Sequence, residues 1–256
     1  MTSTGINAVI SGMLTIAVRL SGLMLFAPFF GSPAMPPRIK AGVVIALTFF
    51  LLPTVGRGIG PYASIDWPLL VLREFLIGAG MGIATHLVFD AVDMAGQILG
   101  MQMGYSLVNL LDPQTQVDTT VMAVFHQSIV MLLFLMMNVQ YWLLAAIGDS
   151  FLYLPPRVAG ISGIFSLEIV KTVGLVFGLG VRIAAPVLAA TLVTDMLLGL
   201  LGKASAQLPL MLLGPAIKSL LGVAILITTL RYWPNLFQRL FEGSLENGVR
   251  ILHLAG

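Results

Sequence analysis

Six charged side chains fall inside long apolar stretches of this chain, and they are its best candidates for chemistry. A charge in the hydrocarbon core of a bilayer is costly, so such residues usually pair with one another or line a path for ions or cargo. We expect either internal pairing, with Asp195 bonded to Lys203 or Lys218, or a role in a conducting path. Arg73 and Glu74 lie near a segment end and could simply reach the membrane interface. The six residues are Arg19, Arg73, Glu74, Arg182, Asp195 and Lys218.

A polar stretch between two apolar segments is the second candidate. It has no apolar face, and its proline fixes a turn directly after the first aspartate. One interpretation is an exposed connector. The alternative is a loop that re-enters the membrane or faces a pore, which requires protein or water around its backbone. The stretch consists of Asp112, Pro113, Gln114, Thr115, Gln116, Val117 and Asp118.

Glycines at helical spacing are the third feature. Gly96, Gly100 and Gly104 recur every four residues and so share one helix face, where they permit close approach of a neighbouring helix. Gly78 and Gly82 repeat the same spacing earlier in the chain. The neighbour could belong to this chain or to a partner subunit.

Other kinds of chemistry find little support. The chain has no cysteine, which excludes thiolate metal sites and cysteine nucleophiles. Its histidines, His86, His126 and His253, lack the spacing of metal ligands. No phosphate-binding loop, nucleophile elbow or zinc-binding helix is present, and no cluster of Lys and Arg suggests nucleic acid. We therefore predict no enzyme site, no metal and no cofactor.

The elements that carry these residues are apolar helices. The chain is 58% hydrophobic and 9% charged, with a mean hydropathy of +0.99, whereas a soluble domain is about 25% charged. So few charges cannot cover the surface of a soluble protein of this size. The composition predicts an all-α, polytopic integral membrane protein with about six to seven apolar helical segments, some of them broken or kinked.

The pattern along the chain divides it into seven segments. We predict one membrane domain over residues 1–256, with a short amphipathic tail over 234–256, and a bend or break of the sixth segment at Pro186. If the N-terminus lies outside, about seven Lys and Arg fall on the inner side against two on the outer side, which favours a cytoplasmic C-terminus. The segments cover residues 8–30, 41–55, 67–89, 94–111, 121–147, 167–201 and 208–232.

Several motifs, in order along the chain, resemble the FliR family of flagellar biosynthetic proteins and its injectisome counterpart in type III secretion. The sequence departs from the family pattern at residues 206–209, where many members read Pro-Gln-Leu-Asn, and at Gln140-Tyr141, where they often carry a histidine pair. The Asp112–Asp118 stretch favours the flagellar branch. The matching motifs are Arg19-Leu-Ser-Gly through Ala27-Pro28, Pro36-Pro37-Arg38, Glu74-Phe-Leu-Ile-Gly78, Ala95-Gly96-Gln97, Met103-Gly104-Tyr105, Asp112-Pro113-Gln-Thr, Gln140-Tyr-Trp142, Asp149-Ser-Phe151, Ala185-Pro186, Gln207-Leu208 and Ile217-Lys218-Ser219.

The resemblance implies a role in protein export. Members assemble with FliP and FliQ into an export gate in the bacterial inner membrane, beside FlhB and FlhA, and unfolded flagellar proteins pass through it. The family loop that matches Asp112 to Asp118 faces the pore and helps to close it. By this resemblance, Arg19, Glu74 and Lys218 are structural or gating charges. The alternatives are a stand-alone transporter of ions or small molecules, an intramembrane enzyme, and the injectisome form of the same gate.

Overall fold

A computed structural model describes residues 3–55, 67–105, 120–156, 163–204 and 210–255 of the chain. Within these ranges the backbone forms α-helices joined by turns, with no strand. The prediction of an all-α protein is confirmed. The helices are α1 (Ser3–Phe26), α2 (Pro37–Val55), α3 (Trp67–Gln102), α4 (Val121–Met136), α5 (Val139–Tyr153), α6 (Gly163–Ala204), α7 (Leu210–Leu230) and α8 (Trp233–Ala255).

Five of these helices are long and apolar enough to cross a membrane, namely α1, α2, α3, α6 and α7. The consecutive helices α4 and α5 pass the same test as a pair, which raises the number to six within the described ranges. The prediction of a polytopic membrane protein is therefore confirmed. The orientation predicted above assumed seven crossings, so the sides on which the termini lie remain a prediction.

Helix α3 corrects one predicted boundary. The third and fourth segments were predicted as separate helices over 67–89 and 94–111, but the structure has one helix from Trp67 to Gln102. The polar residues between them do not break it, because the Asp93 carboxylate accepts hydrogen bonds from Gln97 (2.6 Å) and Gln127 (3.1 Å). At 1.5 Å per residue this helix is about 54 Å long, well beyond a hydrocarbon core of about 30 Å.

The predicted fifth segment, 121–147, is not one straight helix. Its two halves, α4 and α5, are bent by 63° at a short break. The break is at Asn138, whose φ of 58° is left-handed, a conformation that asparagine tolerates better than most residues. Helix α5 then continues to Tyr153, beyond the predicted end of the segment at residue 147.

Prolines in two regions of the chain have different effects on the helices. Helix α6 runs from Gly163 to Ala204 through Pro186, so the predicted break does not occur there. In contrast, the chain does turn between α1 and α2, where the sequence contains several prolines, and α2 begins at Pro37. Proline is favoured at the first position of a helix because its missing N–H would have no partner there.

The chain folds into two compact units, and neither is continuous in sequence. One consists of residues 1–87, 135–173 and 240–256, and the other of residues 88–134 and 174–239. Helix α3 thus contributes residues to both units. The prediction of a single membrane domain remains a prediction.

The predicted amphipathic tail is helix α8. Trp233, Phe237 and Phe241 are buried, whereas Glu242 and Glu246 are exposed. Aromatic residues at a spacing of four lie on one face of a helix, so α8 buries one face and exposes the other.

Candidate functional site

The predicted plug stretch, Asp112 to Asp118, lies outside the described residues. The residues that flank it are described on both sides. Helix α3 ends at Gln102 and continues as a turn to Tyr105, and helix α4 begins directly after Thr120. These flanking residues are the part of the candidate site that the structure defines.

A glycine terminates α3. Gly104 has a φ of +87°, which an L-residue with a side chain rarely adopts. The Gly104 N–H donates to the Met101 carbonyl (3.1 Å) and the Tyr105 N–H donates to the Gly100 carbonyl (2.9 Å). This pair of bonds is the Schellman motif that closes helix C-termini, so Gly104 ends the helix where the sequence analysis continued it to 111.

Polar contacts tie the end of α3 to α6 and α7. The Gln102 side-chain amide donates to Asp195 Oδ2 (2.8 Å), and Lys218 Nζ lies 2.9 Å from Asp195 Oδ1. The hydroxyls of Tyr105 and Ser219 share a hydrogen bond of 2.6 Å. We call these five residues the polar junction. Of the two predicted partners of Asp195, the structure selects Lys218. Whether this pair has a structural role or lines a conducting path stays a prediction.

On the other side of Asp112–Asp118, Thr120 contacts α3 as well. The Thr120 hydroxyl donates to the Gly96 carbonyl (3.2 Å) and accepts from the Ala123 N–H (3.2 Å), which caps the first turn of α4. A Cβ on Gly100 would lie 2.5 Å from Thr120 Cβ, and one on Gly96 would lie 2.9 Å from the Ala123 nitrogen. Gly96 and Gly100 therefore pack against this chain's own residues, one of the two possibilities that the sequence left open.

Gly104 belongs to the same arrangement through a different contact. A Cβ at this position would lie 2.8 Å from Pro215 Cβ on α7. The three glycines spaced by four thus serve two purposes, close packing at Gly96 and Gly100 and chain reversal at Gly104.

In the other unit, Arg19 is the centre of a buried network. The side chains of Arg19 and Glu74 are 0% and 1% exposed, and Arg19 Nε donates to Glu74 Oε2 at 2.6 Å. Arg19 also donates through Nη1 to the Ser150 hydroxyl (2.8 Å) and through Nη2 to the Leu154 carbonyl (3.0 Å). Its guanidinium carbon lies 3.9 Å from the centre of the Phe151 ring. We call this set the Arg19 network.

Small residues allow α1 and α3 to approach at the Arg19 network. A Cβ on Gly78 would overlap the Arg19 backbone carbonyl, and one on Gly82 would lie 2.9 Å from the Ala27 nitrogen. Both glycines therefore pack within the chain. Because the backbones are this close, the Arg19 side chain meets Glu74 one turn away.

The remaining predicted charges do not join either cluster. Arg73 is half-buried beside Glu74 in sequence, and Arg182 is exposed on α6. The possibility that Arg73 and Glu74 both reach the interface is wrong for Glu74, which is completely buried. No cluster of three His, Asp or Glu side chains suited to a metal ion occurs among the described residues.

An apolar groove of about 540 Å³ is also present in the unit that holds the Arg19 network. Its walls come from α1, α2 and α5 and include Leu20, Phe50, Tyr141 and Leu152. Asp149, which is exposed, is the acidic residue of the lining.

Most of this chain matches a known family of bacterial proteins. Residues 10–244 match the family described as "Bacterial export proteins, family 1". The chain belongs to this family. The match covers both clusters, so the Arg19 network and the polar junction are parts of a bacterial export protein.

Individual proteins that are similar to this chain also have names that refer to flagellar biosynthesis or secretion. This export protein is 29% identical over 225 residues to the flagellar biosynthetic protein FliR of Pectobacterium carotovorum, which covers 88% of this chain and 86% of the relative. It is 26% identical over 250 residues to FliR of Bacillus subtilis, covering 95% of each chain. It is also 24% identical over 235 residues to the secretion system apparatus protein SsaT of Salmonella typhimurium, covering 89% and 90%.

Sequence reasoning about this export protein missed the neutral members of both clusters. Gln102, Tyr105, Ser150 and Ser219 are uncharged and were not singled out, although Tyr105, Ser150 and Ser219 fall within the quoted motifs. The available signal was the presence of polar side chains within apolar segments, where each needs a hydrogen-bond partner.

Proposed function

We propose that this chain is a non-enzymatic subunit of the flagellar type III export gate in the bacterial inner membrane. The observation that carries the proposal is the match to the bacterial export family over residues 10–244. The relatives named FliR from several species favour the flagellar machine. The five or six apolar spans are consistent with a subunit that lies in the membrane.

The partners in this proposal are FliP and FliQ, with FlhB and FlhA nearby. The cargo is unfolded flagellar protein, the surroundings are lipid, and neither cofactor nor nucleic acid takes part. We place the N-terminus outside and the C-terminus in the cytoplasm, on the distribution of Lys and Arg. Purification of the tagged chain in a mild detergent tests this assembly. Recovery of FliP and FliQ homologues supports it, and a monomer or homodimer that moves solute alone contradicts it.

Within the gate, we propose that Asp112 to Asp118 acts as a plug. Support comes from the flanks of this stretch, because Tyr105 and Thr120 are each bonded to other described residues. Anchored flanking residues reduce the chain entropy that is lost when the residues between them occupy one place in a passage. Replacement of the seven residues by a Gly/Ser linker should make cells leaky to ions. Unchanged ion permeability would contradict the plug.

The injectisome form of the gate is a second candidate, because SsaT is also similar over most of the chain. Deletion of the gene in its host separates the two. Loss of flagellar filaments and of motility supports the flagellar assignment, whereas intact motility with loss of effector secretion supports the injectisome.

A further inference from the structure

The apolar groove between α2 and α5 is open to the surroundings of the protein. It has a volume of about 540 Å³, and all of its lining residues belong to the unit of residues 1–87, 135–173 and 240–256. Phe50 of α2 is 77% exposed, and Tyr141 and Leu152 of α5 are 64% and 77% exposed. Both walls of the groove therefore present large side chains that this chain leaves uncovered.

The groove is too small for a helix of a partner subunit. A Cβ on Gly148 of α5 would lie 3.8 Å from Leu51 Cδ2 of α2, so the two helices approach closely there. A helix about 10 Å wide, running along the three turns from Tyr141 to Leu152, would occupy roughly 1,300 Å³, more than twice the volume of the groove. Small-molecule sites typically have volumes of about 300–1,000 Å³. The size therefore favours a narrow, flexible apolar chain.

The helices that line the groove place it in the bilayer. Helices α1 and α2 are both long and apolar enough to cross a membrane. With 19 residues, α2 is about 28 Å long, close to a hydrocarbon core of about 30 Å. Leu51, which lies beside Gly148, is about 6 Å before the end of α2 at Val55. Asp149, the next residue after Gly148, is therefore close to the level of the lipid headgroups.

Asp149 gives the groove a preference for a cation. It is the charged residue of the lining, it is exposed, and it has no hydrogen-bonding or ionic partner among the described residues. A carboxylate beside an apolar medium is costly without a partner. A primary ammonium supplies both the opposite charge and N–H donors. An anionic headgroup would instead be repelled by the carboxylate.

We propose that the groove binds a phospholipid whose headgroup carries a primary ammonium, with an acyl chain along the groove and the ammonium at Asp149. Phosphatidylethanolamine has this chemistry. Phosphatidylcholine has the same net charge, but its nitrogen carries no hydrogen to donate, and phosphatidylglycerol is negative. The inference goes beyond the proposed export function and does not depend on it, because it needs only the groove and a bilayer.

Lipid retention by the complete complex tests this preference. The tagged chain, with the subunits that co-purify, is reconstituted into vesicles of equal parts phosphatidylethanolamine, phosphatidylcholine and phosphatidylglycerol, extracted in mild detergent and analysed by native mass spectrometry. Phosphatidylethanolamine should be enriched about two- to fivefold over the other two, the preference expected from one partly exposed charge pair. Asp149→Asn should abolish the part of the enrichment that this chain contributes. Lipid bound by the other subunits is the same in both samples and cancels in the comparison.

Glu246→Gln is the matched control for the charge. It removes an exposed carboxylate of α8 that does not line the groove, and it should leave the enrichment unchanged. Thermal unfolding and co-purification of partner subunits verify that every variant folds and assembles.

A bulky side chain tests the occupied space independently of charge. Ala145 is exposed and lines the groove, so Ala145→Trp should lower the retention of phosphatidylethanolamine at least as much as Asp149→Asn. Ala46→Trp places the same side chain at an exposed position of α2 outside the lining and should leave retention unchanged.

Three results would overturn the proposal. The first is equal enrichment in the wild type and in Asp149→Asn, and the second is equal retention in Ala145→Trp and Ala46→Trp. The third is a disulfide between Ala145→Cys, in a chain that has no other cysteine, and a cysteine on a partner's membrane helix, because the groove would then be an interface between subunits. Co-purification of FliP and FliQ tests the export assignment separately, so the two proposals can fail independently.

Discussion

Two ion pairs among the described residues, Arg19 with Glu74 and Lys218 with Asp195, have similar bond lengths but opposite surroundings. The first is 2.6 Å long with both side chains at or below 1% exposure, and the second is 2.9 Å long with exposures of 17% and 41%. A buried charge without its partner costs several kcal/mol, whereas a partly exposed one is resolvated. The comparison teaches that charge in an apolar segment has no single meaning, because one pair is enclosed by the chain's own residues and the other lies partly open at its surface.

Mutations in the Arg19 network should cause the largest loss of folding stability. Removal of the carboxylate in Glu74→Ala should cost about 3–5 kcal/mol, because it leaves the Arg19 guanidinium buried and unpaired. The variant should accumulate poorly and unfold at lower temperature in detergent. Arg73→Gln, one residue away and half-buried, is the control and should change little. A Glu74→Ala protein as stable as the wild type would remove the basis of the comparison.

Removal of both charges should recover part of that loss. Arg19→Met combined with Glu74→Leu replaces the pair by apolar side chains, which is often close to neutral in a buried site. Recovery should be incomplete, since Ser150 and the Leu154 carbonyl also lose their donor. A double-mutant cycle on thermal unfolding measures the coupling. Strictly additive losses would show that Arg19 and Glu74 do not act as a pair.

A side chain that forces α1 and α3 apart at the Arg19 network should lower the stability by a smaller amount. Gly78→Ala places a methyl group against the Arg19 carbonyl and should cost about 1–3 kcal/mol through overpacking. Gly174→Ala is the matched control, because nothing lies within 4 Å of a Cβ built there. Thermal unfolding of the two variants measures this difference. Equal stability of the two variants would mean that α1 and α3 can separate at little cost in free energy.

The polar junction should show the smallest effect on stability. Asp195→Asn is expected to change the free energy of unfolding by about 0–1 kcal/mol, because both side chains of the pair are partly exposed. The same thermal measurement checks this value beside that of Glu74→Ala. A loss as large as that of Glu74→Ala would mean that the two pairs play the same structural role.

Much of the fold and several charged residues of the two clusters could be predicted from the sequence. The pairing of those residues could not, because it depends on contacts between distant parts of the chain. The length of the apolar segments and the scarcity of charged residues were sufficient to predict a membrane fold. Charges are rare in such segments, which singled out Arg19, Glu74, Asp195 and Lys218. That Arg19 meets Glu74 could not be read from a separation of 55 residues. Lys218 was one of two partners considered for Asp195, and only packing of α6 against α7 selects it.

Helix boundaries failed for local reasons. The predicted gap between residues 89 and 94 contains Asp93, but side-chain partners for Asp93 compensate for its polarity. Conversely, residues 121–147 were predicted as one helix because they contain no proline or glycine. The helix breaks there because Asn138 adopts a left-handed conformation. Gly104 within Met103-Gly104-Tyr105 was a genuine stop signal that the spacing of glycines obscured.

The Arg19 network also has a consequence for the order of events at the ribosome. The partners of Arg19 lie 55, 131 and 135 residues further along the chain. At a synthesis rate of 5–20 residues per second, Ser150 is made roughly 7 to 26 s after Arg19. During that interval the first helix carries an arginine without its complete set of acceptors. The contacts that enclose Arg19 can therefore be completed only after α3 and then α5 have been synthesised.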